Sequence, residues 1–171
     1  MKRIFKFCLL FLVNGLMLVA MAPVKEPVFL QLMDANGKLV KGTSVARGYE
    51  RQIEVLQFSG VSSGNPELRF SMPSGGASSI LSAAAGEKGG FVWAVFSLMT
   101  QGSEKMLLRS TVRLEGVTIL NTRDTNGTTE VTLRADRIGT THYEWNRKSG
   151  VVTIAGKTGY DFKAGASWNT F

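Results

Sequence analysis

One cysteine and one histidine are all that the 171 residues contain, and the cysteine, Cys8, lies inside the apolar opening segment. Without that segment the chain has no thiol. This excludes a disulfide framework, a cysteine metal cluster and a cysteine nucleophile. A zinc site needs three or four ligands, so only His142 and carboxylates remain to build one. A hydrolase triad would also have to be built on His142, and no serine elbow accompanies it. Thr140 and Glu144 share its strand parity, which places His142 on a polar face as an ordinary surface histidine. Glu54, polar within "QIEVLQF", reads as a strand-edge glutamate paired across a sheet rather than as a general acid. "SGG" at 74–76 and "GEKGG" at 86–90 lack the spacing of a phosphate loop. Asn126-Gly127-Thr128 matches a glycosylation sequon without supporting context. No enzyme is expected, and no cofactor or metal.

Proline is scarce, with four residues against nineteen glycines, and aromatics lie in the ordinary globular range, which argues against wholesale disorder. One long apolar run is present, at the start. Lys2, Arg3 and Lys6 form a basic flank, and Phe7 to Met21 is apolar apart from Asn14-Gly15. Ala20 and Ala22 give the small–x–small pattern of a cleavage site. Residues 1–22 therefore read as a secretory signal, with 23–171 as one mature domain and a periplasmic or extracellular destination. Pro23 follows the expected bond directly and impedes cleavage there, which leaves cleavage after Ala20 or an uncleaved anchor open. A lipoprotein does not fit, because Cys8 comes too early and follows Phe5-Lys6-Phe7. Loss of residues 1–22 removes three basic and no acidic residues, so the charge falls from +7 to +4. The remaining Lys and Arg are scattered among Asp and Glu, without the concentrated face that nucleic acid requires. Neither nucleic acid nor, after cleavage, a membrane is an expected partner.

The rest reads as β structure. "VFLQLMDANGKLV" (28–40) predicts a hairpin turning at Asp34-Ala35-Asn36-Gly37. "RQIEVLQFSG" (51–60) is a second apolar run. "SGGASSILSAAAG" (74–86) is the one good helix candidate, starting near Ser78 after two glycines and ending at Gly86. "FVWAVFSLM" (91–99) is apolar on both faces, which predicts a central strand. Leu108, Val112 and Leu114 alternate against Arg109, Thr111, Arg113 and Glu115. Val131, Leu133 and Ala135 alternate against Thr132, Arg134 and Asp136. "NTRDTNGTTE" between them reads as a loop, and a short strand is expected at Val151–Ala155 after the turn cluster Arg147-Lys148-Ser149-Gly150. Close-spaced strands with one short helix predict a β-barrel or sandwich.

The order of these segments resembles the Hcp proteins, the tube subunits of type VI secretion systems. "EVLQFSG" (54–60) is similar to an early strand of that family, and "LRFSMPSGGASSILSAAAGEK" to its strand leading into a short helix. "RLEGVTI" resembles a strand with the pattern L-x-x-V-x-I, and "EVTLRADRIGTTHYEWNRKSG" a C-terminal strand pair with its turn. "GYDFKAGASWNTF" is similar to the closing region, where Ser167-Trp168-Asn169 stands for a Gly-Trp-Asn/Asp tail. The resemblance spans roughly residues 28–171. It implies a mainly β fold, a barrel of two sheets with one short α-helix, assembled as a hexameric ring able to stack into a tube. It also implies small protein effectors held in the lumen. Phe58, Ser59 and Gly60 would lie near the lumen, and Val61, Ser62, Ser63 and Gly64, in the loop running to Pro66, would contact an adjacent subunit or ring. That loop is short, with seven residues between Gly60 and Leu68, which removes contact that stacking uses. Tube subunits need no secretory signal, so a signal-bearing relative suggests an exported derivative. The alternative is a secreted monomeric β-barrel binding module, with Tyr143, Trp145 and Trp168 as candidates for a concave aromatic face.

Overall fold

The computed structural model describes residues 26–59, 64–86, 90–102, 105–146 and 149–171. The secretory-signal reading of residues 1–22 lies outside them, as do Gly60, Val61, Ser62 and Ser63. The described chain runs β1 (Val28–Asp34), β2 (Ile53–Val55), β3 (Gln57–Phe58), β4 (Glu67–Pro73), α1 (Gly76–Ala83), β5 (Phe91–Gln101), β6 (Met106–Thr125), β7 (Thr128–Trp145), β8 (Val152–Asp161) and β9 (Ala166–Ser167). It is mainly β with one short helix among the described residues, as the strand periodicities predict.

All strand pairs are antiparallel, and hydrogen bonds link them in the order β2-β1-β5-β6-β7-β4-β3. Only Leu56 separates β2 from β3, and its N–H donates to the Ser71 carbonyl at 2.7 Å. Residues 53–58 thus cross from β1 to β4 and close the ladder into a barrel. Closure removes the sheet edges that a flat arrangement would expose. The two sheets are continuous because β6 and β7 are long enough to serve both. The first half of β7 pairs with β4 from Thr128 to Arg134, and its second half pairs with β8 from Arg137 to Trp145. β4 and β8 therefore diverge from one side of the same strand.

β5 is central as predicted, flanked by β1 and β6. Leu30, Leu32, Phe96, Leu114, Ile119 and Leu133 are fully buried in the barrel. The inward face changes parity where Leu114 opposite Ile138 gives way to Val117 opposite Ala135, so both strands switch together around Gly116 and Asp136. The helix begins at Gly76, two residues before the expected start. Ser78 explains the difference: its hydroxyl accepts from the Gly75 N–H at 2.8 Å and donates to the Gly75 carbonyl at 2.9 Å, anchoring the first turn. Leu81, completely buried, fixes the helix to the core.

Two expected boundaries change. Residues 121–130 are not a loop but the tip of the β6/β7 hairpin, turned by Asn126 (φ 50°) and Gly127 (φ 77°). Two successive positive φ angles are what a type I′ hairpin needs. Ser74 and Thr129 tie this tip to the helix approach, since both hydroxyls bond Asp124 and lie 2.9 Å from each other. The last long strand is not Val151–Ala155 but β8, ten residues from Val152 to Asp161.

Candidate functional site

Where β4 and β8 part, the inner side of the sheet opens into a groove of about 690 Å³. Its floor is apolar, from Phe58, Leu98, Val112, Ile138 and Phe162; Arg109, Thr140, His142 and Tyr160 line it as well. Phe58 is half-buried because its ring packs on Phe96 at 4.8 Å, and Phe96 in turn meets Phe70 edge-on at 5.3 Å. Ser59 is exposed; its N–H donates to the Arg69 carbonyl at 3.0 Å and its hydroxyl accepts from the Arg69 N–H at 3.1 Å. That pair extends the β3/β4 register by one residue. Gly64 is exposed and lines the groove with Phe58. The structure thus brings Phe58 and Gly64 together and gives them partners from β5 to β8 that the sequence analysis did not assign.

His142 is exposed, as predicted, but on the groove side of β7, in register with Ser110 and Gly156. Arg109 is held by Glu26, at 3.0 Å. Glu54 stands opposite Phe29 and has no ion pair among the described residues. No group of three potential metal ligands occurs among the described residues, and none of their helices is long and apolar enough to cross a membrane.

The three candidate aromatics have separate fates. Trp168 is 7% exposed and packs on Phe171 at 4.8 Å, with the Arg137 guanidinium 5.9 Å from its ring. Tyr143 and Trp145 are half-buried on β7, opposite Ile154 and Val152, and Lys105 sits 4.6 Å over the Trp145 ring. Burial, not a binding face, accounts for Trp168.

β8 is the strand that the barrel does not cover. Val152 to Ala155 are exposed on both faces, with Val152 at 43% and Ile154 at 58%. Beyond β7, its strand partner among the described residues is β9, at Tyr160 and Asp161. The far end of β8 is anchored by charge. Asp161 accepts the Arg137 Nε–H at 2.6 Å through one oxygen, and the Lys163 and Ala164 N–H groups, both at 2.9 Å, through the other. The Ala164 N–H first, and the Arg137 hydrogen bond next, hold the Asp161 carboxyl below the usual carboxylate range. Arg137 also reaches Glu115, which pairs with Arg113 at 3.1 Å.

No protein-family model matches the chain, and no curated protein matches it either. Solved structures do. A type six secretion system protein superposes with a TM-score of 0.67 at 18% identity, over 84% of this chain and all of its own length. An Hcp protein from Salmonella typhimurium gives 0.65 at 18% identity, over 84% and 100% of the two chains. A secreted Hcp protein from Pseudomonas aeruginosa gives 0.60 at 17%, over 79% and 99%. These scores and the near-complete coverage of those chains show that the chain has the Hcp fold.

Proposed function

We propose that this chain is a ring-forming structural subunit of the Hcp type, sent out of the cytoplasm by residues 1–22 and performing no chemistry of its own. The observation that carries the reading is the open edge of β8 on a barrel of that fold. Along residues 152–158 the side of β8 away from β7 has no strand partner among the described residues, and Val152 and Ile154 are exposed, a combination that soluble proteins cover or pair. An edge that meets a different surface of the next copy makes a head-to-tail contact, and such contacts close into rings when the rotation allows. Six subunits is the number the resemblance implies. Phe58 to Gly64 would then face the lumen or a neighbour, because the groove that Phe58 and Gly64 line lies next to β8, and small protein effectors would be the cargo.

The test is the native mass of the chain starting at Pro23, by native mass spectrometry, with negative-stain images of the same sample. Rings of about six copies are expected. A monomer throughout the micromolar range would overturn the ring and favour the binding-module reading. The same protein has no cysteine, so Ser59→Cys introduces one thiol. In assembled rings it should react with a small maleimide and be shielded from a bulky one.

A further inference from the structure

Beyond Asp161 the chain turns back and lies along the strand it has just left. β9 pairs Ala166 with Asp161 and Ser167 with Tyr160, and the Trp168 N–H continues the ladder by donating to the Gly159 carbonyl at 3.0 Å. The tail therefore occupies the outer edge of β8 at 159–161, in line with the open stretch at 152–158. Residues 168–171 then cross onto the face of the β7/β8 pair that lies away from the groove. There Gly139 and Gly159 stand directly opposite each other in register. Two facing glycines leave a bare backbone floor, and the Phe171 ring lies on it. A Cβ on Gly139 would meet that ring at 2.7 Å, and one on Gly159 would meet it at 2.6 Å and also strike the Trp168 carbonyl. Lys157, on the open stretch, completes the seat: its ammonium sits 5.0 Å from the centre of the Phe171 ring and donates to the main-chain oxygen of Phe171. Trp168 packs at a tilt against the same ring and donates its indole N–H to the Thr170 hydroxyl at 3.1 Å.

We propose that residues 166–171 are a strap that shields part of the assembly edge, so that a second copy of this chain pairs first with 152–156 and gains the rest of β8 only when the strap lifts. This rests on the ring reading above. The observations that point to it are the placement of the strap on the same edge as the open stretch and the glycine pair that seats it. A strap serving only to fill the core would not need to take the strand edge, and Phe171 itself stays half-buried, on a glycine floor between the exposed Lys157 and the buried Trp168 ring. An aromatic on bare backbone is displaceable without cutting into the barrel, whose closing strands lie between residues 28 and 145.

Two variants unseat the strap by different means: Phe171→Ala removes the ring, and Gly139→Ala places a methyl group where the ring lies. In both, the Trp168 amide should lose protection in hydrogen exchange while the urea midpoint of the barrel stays in place. The concentration at which rings form should fall about tenfold or more, since at least two further backbone hydrogen bonds become available to a neighbour. A Trp168 amide still protected in both variants would overturn the glycine floor as the strap's seat. Unchanged assembly with an unprotected Trp168 amide would overturn the shielding, and weaker assembly would make the strap part of the interface instead. A wild-type chain that never assembles sinks the ring reading itself, whereas wild-type rings indifferent to both variants sink only the strap.

Discussion

Phe96→Ala removes the ring that joins three parts of the molecule. Phe96 lies in β5, fully buried, with Phe58 of β3 at 4.8 Å on one side and Phe70 of β4 at 5.3 Å on the other. Buried phenylalanine-to-alanine changes cost about 3–5 kcal/mol, combining lost transfer energy with the cavity left behind. The two ring contacts put Phe96 in the upper part of that range, so a loss of about 4–5 kcal/mol is expected. Against a whole-domain stability of about 5–15 kcal/mol this is severe but survivable. Phe58→Ala should cost only about 2 kcal/mol, because that side chain already has one flank in the groove. The pair should not be additive. A double-mutant cycle should return about 1 kcal/mol of coupling for the shared ring contact. Urea unfolding followed by tryptophan fluorescence measures all three, provided the slope against urea stays constant. A Phe96→Ala loss below about 1.5 kcal/mol would refute the packing described here, since it would mean that the three rings do not share one dry contact.

Two further outcomes follow from the anchor and the hairpin tip. The Asp161 carboxyl titrates lower in the folded chain than in the unfolded one, so its contribution is complete above the unfolded value, about pH 4, and is lost as pH falls through the folded value. Asp161→Asn should therefore flatten the acid limb of a urea-midpoint profile, and an unaltered limb would deny that the hydrogen bonds from Ala164 and Arg137 are the cause. Gly127→Val places a β-branched residue at a φ of 77° and should cost about 1–2 kcal/mol in thermal or urea unfolding; a neutral result would mean the tip is not the two-residue turn described.

Alternation made the inner faces of β6 and β7 legible, because Val112, Leu114, Val131, Leu133 and Ala135 all point into one core. It failed at the hairpin tip, where every side chain of 121–125 and 128–130 is polar and carries no apolar period, although 128–130 still pair with β4 and Thr129 is buried. What holds them in register is the Asn126-Gly127 turn and the bonds from Ser74 and Thr129 to Asp124, a residue fifty positions away from Ser74. β8 was underestimated for the opposite reason. It is exposed on both faces, and Gly156, Lys157 and Gly159 read as a tail until β7 is there to pair with them. The groove could not be read at all. Phe58 and Gly64 are near in sequence, but Val112, Ile138, His142 and Tyr160 join them only through the registers of three strand pairs.

The barrel closes through β1, residues 53–58, β4, β5, β6 and the first half of β7, and apart from Leu81 of α1 the fully buried side chains named above all belong to those segments. β8 adds backbone pairing along the second half of β7 but contributes almost no apolar burial, with Asp161 the one buried residue of its ten. Stability and edge pairing are therefore carried by different atoms. Hydrophobic burial scales with the area removed from water, so substitutions at Val152 or Ile154 remove little from the folded monomer while changing the surface that a neighbour would meet. Asp161 and Arg137 join the two regions, since their bond pins β8, the turn that reverses the chain and the strap beyond it. Loss of that bond should accordingly release the strap and the edge together, whereas loss of Phe171 should release the strap alone.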